Sequence, residues 1–138
     1  MLNIYVLEDH FIQQNRIEEV IHTILKKNNI KVGDFEVFDK PNQLLDFITE
    51  RGSHQLFFLD IQIKDDTKKG LEVAKQIRKS DPYANIVFFT THSEYLPLTF
   101  QYQLAALDFI DKSLEGEDFQ KRLESIILLT CKKIQSQN

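Results

Sequence analysis

Gln55-Leu56-Phe57-Phe58-Leu59-Asp60 is the stretch from which the fold can be read. Leu56 to Leu59 are apolar without a break. A strand on a half-exposed sheet would alternate apolar and polar residues, so a continuous run implies burial on both faces. Such strands belong to parallel sheets covered by helices on each side. An acid, Asp60, closes the run.

Outward from this strand the chain alternates short β-like runs with longer helical ones. Asn85-Ile86-Val87-Phe88-Phe89 repeats the pattern downstream, and Leu2-Asn3-Ile4-Tyr5-Val6-Leu7 repeats it at the start. Phe35-Glu36-Val37-Phe38 and Ala106-Leu107-Asp108-Phe109-Ile110 supply two further strands. Between them, Ile17, Val20, Ile21, Ile24 and Leu25 fall at helical spacing, with Asn28-Asn29 as stop signals. Pro41 suits a first helical turn and precedes Leu44, Leu45 and Ile48 on one face. Leu71, Ala74 and Ile77 mark a third helix, ended by Asp81-Pro82. A fourth is expected from about Ser93 to Gln103, capped by Ser93 and with Pro97 near its start. The last runs from Glu117 to about Ile134 with Phe119, Leu123, Ile126 and Ile127 inward. Five strands alternating with five helices predict an α/β three-layer sandwich. The expected architecture is flavodoxin-like (βα)5, with a parallel sheet in the order 2-1-3-4-5.

Composition narrows the function classes. Hydrophobic residues make up 42% and charged residues 28%, enough apolar surface for a core and too much for disorder. The 138 residues fit one domain. Net charge is −4, and basic residues adjoin only in pairs such as Lys132-Lys133, so nucleic-acid binding by these residues is not expected. No apolar run approaches the ~18 residues that span a bilayer, and Glu8-Asp9 interrupt the start too early for a secretory signal. A cytoplasmic protein with no membrane contact is expected. The single cysteine, Cys131, cannot pair within the chain.

In a doubly wound sheet, ligands sit beyond the carboxyl ends of the strands. The first strand delivers Glu8-Asp9 there, the third Asp60, the fourth Thr90 with Thr91 and His92, and the fifth Asp111-Lys112. Each alone has a local use. Glu8-Asp9 could cap a helix, an Asp after a strand often makes a turn, and a lysine is usually solvated. Together, Glu8, Asp9, Asp60, Thr90 and Lys112 place three carboxylates, a hydroxyl and an ammonium at one sheet edge. Unaided carboxylates repel and raise one another's pKa. A hard divalent cation such as Mg²⁺ resolves the conflict and takes phosphate oxygen as a further ligand. The Asp60 carboxylate could then act as a nucleophile toward phosphorus.

These residues resemble the receiver domain of two-component response regulators along essentially the whole chain. The likeness rests on Glu8-Asp9, Leu59-Asp60, Gly70-Leu71-Glu72, Phe88-Phe89-Thr90 and Asp108-Phe109-Ile110-Asp111-Lys112. FFLDIQ, IRKSDP, NIVFFTTHSE and AALDFIDK are similar to the receivers of LytTR-type regulators, the AgrA/ComE group of peptide quorum-sensing systems. The resemblance implies that Asp60 takes a phosphoryl group from a sensor histidine kinase. It implies that Asp9 and Asp60 hold Mg²⁺ with the main-chain carbonyl of Gln62, and that Glu8 contacts metal-bound water. Thr90 and Lys112 would grip the phosphoryl oxygens, Phe109 would be the aromatic switch residue, and Gln62 and His92 would tune phosphate lifetime. Such a domain catalyses only its own phosphorylation and dephosphorylation. The resemblance also implies a C-terminal LytTR-type DNA-binding domain beyond these residues. The fourth helix also carries Tyr95, Phe100, Tyr102 and Leu104, more apolar and aromatic than a solvated helix needs; some are expected in the core, and the rest on a surface for homodimerisation through the fourth helix, fifth strand and fifth helix.

The chain departs from the family at two positions: Glu8 stands where many receivers have Asp, and Ser113 where many have a cis-proline. A cis bond before a non-proline residue costs ~3 kcal/mol, so a trans bond or local strain is expected there. The loop Lys64-Asp65-Asp66-Thr67-Lys68-Lys69 is expected to lengthen the path from Asp60 to Gly70, and to be solvated and mobile or to face a kinase. An FMN protein of the same fold would need a phosphate loop where Glu8-Asp9-His10 stand. A haloacid dehalogenase-type phosphatase would need Asp at position 62, which is Gln. The remaining alternative is a degenerate receiver that is never phosphorylated and serves as an interaction module.

Overall fold

In the computed structural model, residues 1–136 are described. Gln137 and Asn138, half of the polar tail from Gln135, lie outside them. The strands are β1 Leu2–Leu7, β2 Val32–Phe38, β3 Gln55–Leu59, β4 Asn85–Thr90 and β5 Asp108–Asp111. They pair in parallel in the order β2-β1-β3-β4-β5, as expected. The helices are α1 Phe11–Lys27, α2 Pro41–Phe47, α3 Lys69–Ser80, α4 Leu96–Gln101 and α5 Gly116–Ser136.

Alternation along the central strands feeds two cores. Ile4 and Val6 of β1, with Leu56 and Phe58 of β3, face α1 and α5, where Ile17, Ile21, Leu123 and Ile127 meet them. Tyr5 and Leu7, with Phe57 and Leu59, face the opposite layer, built from Leu44, Leu71, Ala74 and Ile77. Every residue of β1, β3 and β4 is buried, which explains why these strands lack a polar face. At the amino ends of the strands the buried polar groups are amides. Asn3 Nδ2 donates to Gln55 Oε1 (2.7 Å) and Asn85 Nδ2 to the Ser53 carbonyl (2.7 Å).

Three local expectations are corrected. β2 starts at Val32 rather than Phe35, because the buried side chain of Asn3 accepts the Asp34 N–H (2.8 Å) across a register shift between Leu2 and Ile4. The fourth helix is not continuous from Ser93. Residues Ser93–Tyr95 form a 3-10 turn, and α4 begins only at Leu96. Pro97 has no N–H to give the Ser93 carbonyl, so an α-helical ladder cannot run through this point. Ser93 makes no capping hydrogen bond; instead Thr90 Oγ1 accepts the His92 N–H (3.1 Å). The fourth-helix residues divide between core and surface as expected: Phe100 stands exposed, at 76%, whereas Leu104 is buried and Tyr95 and Tyr102 pack against the core.

Candidate phosphoacceptor site

The carboxyl ends of β1, β3, β4 and β5 meet at a cleft of about 270 Å³ lined by Glu8, Asp9, Asp60, Gln62, His92 and Lys112, with His10 and Lys64 at its rim. Parallel pairing delivers this convergence. Leu7 pairs with Leu59 and Thr90 with Asp111, so the residues that follow each strand emerge side by side. Gly70 brings the start of α3 against the same point. Its N–H donates to the Ile61 carbonyl (2.7 Å), and an added Cβ would lie 1.7 Å from the Asp60 carbonyl oxygen.

Lys112 Nζ lies 2.5 Å from Glu8 Oε2 and 2.6 Å from Asp60 Oδ2. Its N–H is held by the Thr90 carbonyl (3.0 Å), and the ammonium also sits 5.2 Å from the centre of the Phe89 ring. Glu8 is fully buried, and its Oε1 accepts the His10 N–H (3.0 Å). Burial pushes the Glu8 carboxyl up to about 7, Asp60 adds to the rise, and Lys112 opposes it. Asp9 is half-buried, and its Oδ2 accepts the Lys64 N–H (2.7 Å).

Ligand oxygens of Glu8, Asp9 and Asp60 all lie within 4.8 Å of one another. If all three ionise, one ammonium leaves two negative charges, the charge a divalent ion would balance. The remaining oxygen of Asp60, Oδ1, is buried and takes no hydrogen bond. A buried carboxylate oxygen without a partner is costly, and this one belongs to an all-oxygen donor set suited to a hard cation. The residues present therefore fit Mg²⁺.

Thr90 is completely buried behind the cleft, and its hydroxyl is taken up by the His92 N–H. His92 itself pairs through Nδ1 with Glu94 Oε1 (2.9 Å). Phe109 is half-buried, its ring centre 6.3 Å from that of Phe88. Its other side lines an apolar groove of about 690 Å³ between α4, β5 and α5, with Leu96, Phe100 and Leu107. The described peptide bonds are all trans, Lys112–Ser113 included.

The loop after Asp60 is solvent-exposed from Lys64 to Lys68, as expected, and carries structure of its own. It contains a tight turn in which Ile63 and Asp66 exchange backbone hydrogen bonds (3.1 and 3.0 Å), anchored by the buried Ile63 side chain. Lys64, with φ of 55°, sits at its corner. Sequence reasoning missed the Lys64 amide as an Asp9 partner. A lysine carries no sign that its main chain, rather than its side chain, enters a site.

The profile of the response regulator receiver domain family matches residues 4–124. The chain is 35% identical over 116 residues to accessory gene regulator protein A of Staphylococcus epidermidis, covering 84% of this chain and 48% of that protein. It thus spans about half the length of the curated relatives it matches. The likeness agrees with the AgrA/ComE-type sequence features. Among solved structures, the response regulatory domain of protein mrkE from Klebsiella pneumoniae aligns with a TM-score of 0.66 at 24% identity, over 98% of this chain and 96% of that one. A response regulator receiver domain protein from Clostridium thermocellum aligns with a TM-score of 0.74 at 14% identity, over all of both chains. Fold, strand order and sequence agree: the chain belongs to the response regulator receiver domain family.

Proposed function

We propose that this receiver accepts a phosphoryl group on Asp60 from a partner histidine kinase, in a Mg²⁺-dependent reaction. The observation that carries the reading is the placement of the Lys112 ammonium between Glu8 and Asp60, with the second Asp60 oxygen buried and unpaired. An Asp60 oxygen attacks phosphorus, the bond from phosphorus to the phosphohistidine nitrogen breaks, and that nitrogen keeps the electron pair. Lys112 moves its charge from Asp60 to the transferred oxygens, and Thr90 turns its hydroxyl from the His92 amide toward them. Asp9, Asp60 and the Gln62 carbonyl would hold Mg²⁺, with Glu8 on its water. The ion supplies charge neutralisation for the transferring oxygens. The chain's own groups supply position, which does most of the work in such transfers.

Movement of Thr90 leaves space that Phe109 fills by turning in from the α4–β5–α5 groove, changing the surface on which Phe100 stands exposed. The output is dimerisation through that surface and control of transcription by a C-terminal LytTR-type DNA-binding domain in the intact cytoplasmic protein. Gln62 and His92, on the cleft wall, set how readily water reaches the phosphoryl group. The domain turns over no other substrate. Incubation with Mg²⁺ and acetyl phosphate followed by intact mass tests the reading. Wild type gains one phosphoryl and Asp60→Ala none. A wild type that gains none is an interaction module instead.

A further inference from the structure

Lys112 reaches into the site from a loop, and its position has to be fixed from outside. Its N–H is tied to β4 through the Thr90 carbonyl. The following residue, Ser113, is exposed, and the peptide after Lys112 has no ring to restrain it. Within the loop, Asp111 Oδ1 accepts the Ser113 N–H (2.8 Å) and the Asp111 carbonyl accepts the Leu114 N–H (3.1 Å). These bonds lie within the turn, and beyond it the Leu114 side chain packs partly against the core.

Arg16, in the second turn of α1, ties the main chain of the loop to a helix. Its Nη1 donates to the Lys112 carbonyl (2.8 Å), and its Nη2 donates to the Leu114 carbonyl. The two acceptors flank Ser113, so one planar guanidinium spans the main chain on both sides of it. The guanidinium lies 3.9 Å from the centre of the Phe119 ring in α5, and Nη1 also meets Gln13 Oε1 (3.3 Å). Burial against these groups fixes its plane. A guanidinium forks to two acceptors at once, which a lysine cannot do. The same α1 begins just after Glu8 and Asp9, so Arg16 links the β5–α5 loop to the segment that carries the acids.

We propose that Arg16 is a positioning residue for phosphoryl transfer. It holds the main chain on both sides of Ser113 so that the Lys112 ammonium meets Asp60 and, later, the phosphoryl oxygens. The inference rests on the phosphoacceptor reading above.

Rates of phosphorylation by acetyl phosphate at saturating Mg²⁺ test it, followed by intact mass in wild type, Arg16→Met, Arg16→Lys and Ile126→Val. The last variant trims a buried α5 side chain away from the site. Mg²⁺ affinity by calorimetry and urea midpoints are measured on the same proteins. Arg16→Met is expected to slow phosphorylation by about 10- to 100-fold, the scale of a catalytic group displaced by about 1 Å. Its Mg²⁺ affinity should stay at the wild-type value. Arg16→Lys should fall between, because an ammonium reaches one carbonyl well, and it carries the comparison should the Met variant not fold. Ile126→Val should lose stability but not rate. Wild-type rates in both Arg16 variants overturn the proposal, as does a loss of Mg²⁺ affinity in step with the rate or an equal slowing in Ile126→Val. If wild type takes up no phosphoryl, the phosphoacceptor reading itself fails; if wild type reacts and the Arg16 variants react as fast, only the positioning role fails.

Discussion

Gly70→Ala sets two physical effects against each other. Helix propensity favours Ala over Gly by at most ~1 kcal/mol, and Gly70 is the second residue of α3. Packing opposes the change. The new Cβ would stand 1.7 Å from the Asp60 carbonyl oxygen and 2.7 Å from both Asp60 C and Ile61 Cα. A carbon–oxygen contact needs about 3.3 Å, so the helix start and strand end must separate by roughly 1.5 Å. The obstacles are backbone atoms, which cannot rotate away as side chains do. Overpacking of this kind costs about 1–3 kcal/mol, and losing the Gly70 N–H bond to Ile61 adds about 1 kcal/mol. A net destabilisation of about 1–3 kcal/mol follows, a fall of order 1 M in urea midpoint. Since the displaced atoms belong to Asp60, the proposed phosphoacceptor, phosphorylation by acetyl phosphate should slow by at least about 10-fold. Equilibrium unfolding in urea and the phosphorylation rate are the assays. A Gly70→Ala protein as stable as wild type, or more so, refutes the packing argument and leaves helix propensity the winner.

Three other perturbations probe the site and the core. Mg²⁺ must displace the proton that burial holds on Glu8 up to about 7, so apparent Mg²⁺ affinity should weaken as pH falls below about 7; calorimetry on Glu8→Gln should show that dependence flattened. Lys112→Met removes the ammonium shared by two buried carboxylates. Without Mg²⁺ at neutral pH it should lower stability by up to about 3 kcal/mol, with Mg²⁺ restoring part of the loss and phosphorylation remaining slow. Burial raises the Tyr5 hydroxyl from 10.0 to about 12; a folded pKa above the unfolded one means the contribution is complete below pH 10 and is lost as pH rises toward 12. Absorbance titration should find a tyrosine ionising near pH 12 that is missing from Tyr5→Phe, and that variant should remove about 2–3 kcal/mol of the alkaline loss of stability.

Much of this arrangement was legible in the sequence because burial writes itself into composition. β1, β3 and β4 are covered on both faces, so their runs are apolar, and each hands its next residue to the same sheet edge. That placed Glu8, Asp9, Asp60, Thr90 and Lys112 together without any contact being known. Legibility failed where backbone groups decide the structure. Gly33 and Asp34 carry turn-like composition but lie in β2, because the Asn3 side chain accepts a backbone N–H there. Pro97 divides the fourth helical segment through a missing donor, and its place within an apolar helical pattern conceals the break. The Lys64 amide and the carbonyls of Lys112 and Leu114 are contributed by main chain, which residue types do not advertise. Arg16 could have been suspected only as a cation at the edge of the α1 face that carries Ile17, Ile21 and Ile24 toward the core.

Chemical capture of the modified residue tests the account most directly. The chain is treated with acetyl phosphate in Mg²⁺ or in chelator, reduced with borohydride, and mapped by peptide mass. An acyl phosphate on Asp60 is reduced to homoserine, so homoserine at position 60 in the Mg²⁺ sample and nowhere else is the predicted result. Homoserine at another acid, or equal conversion in chelator, would contradict the claim that these strand ends build a metal-dependent phosphoacceptor around Asp60.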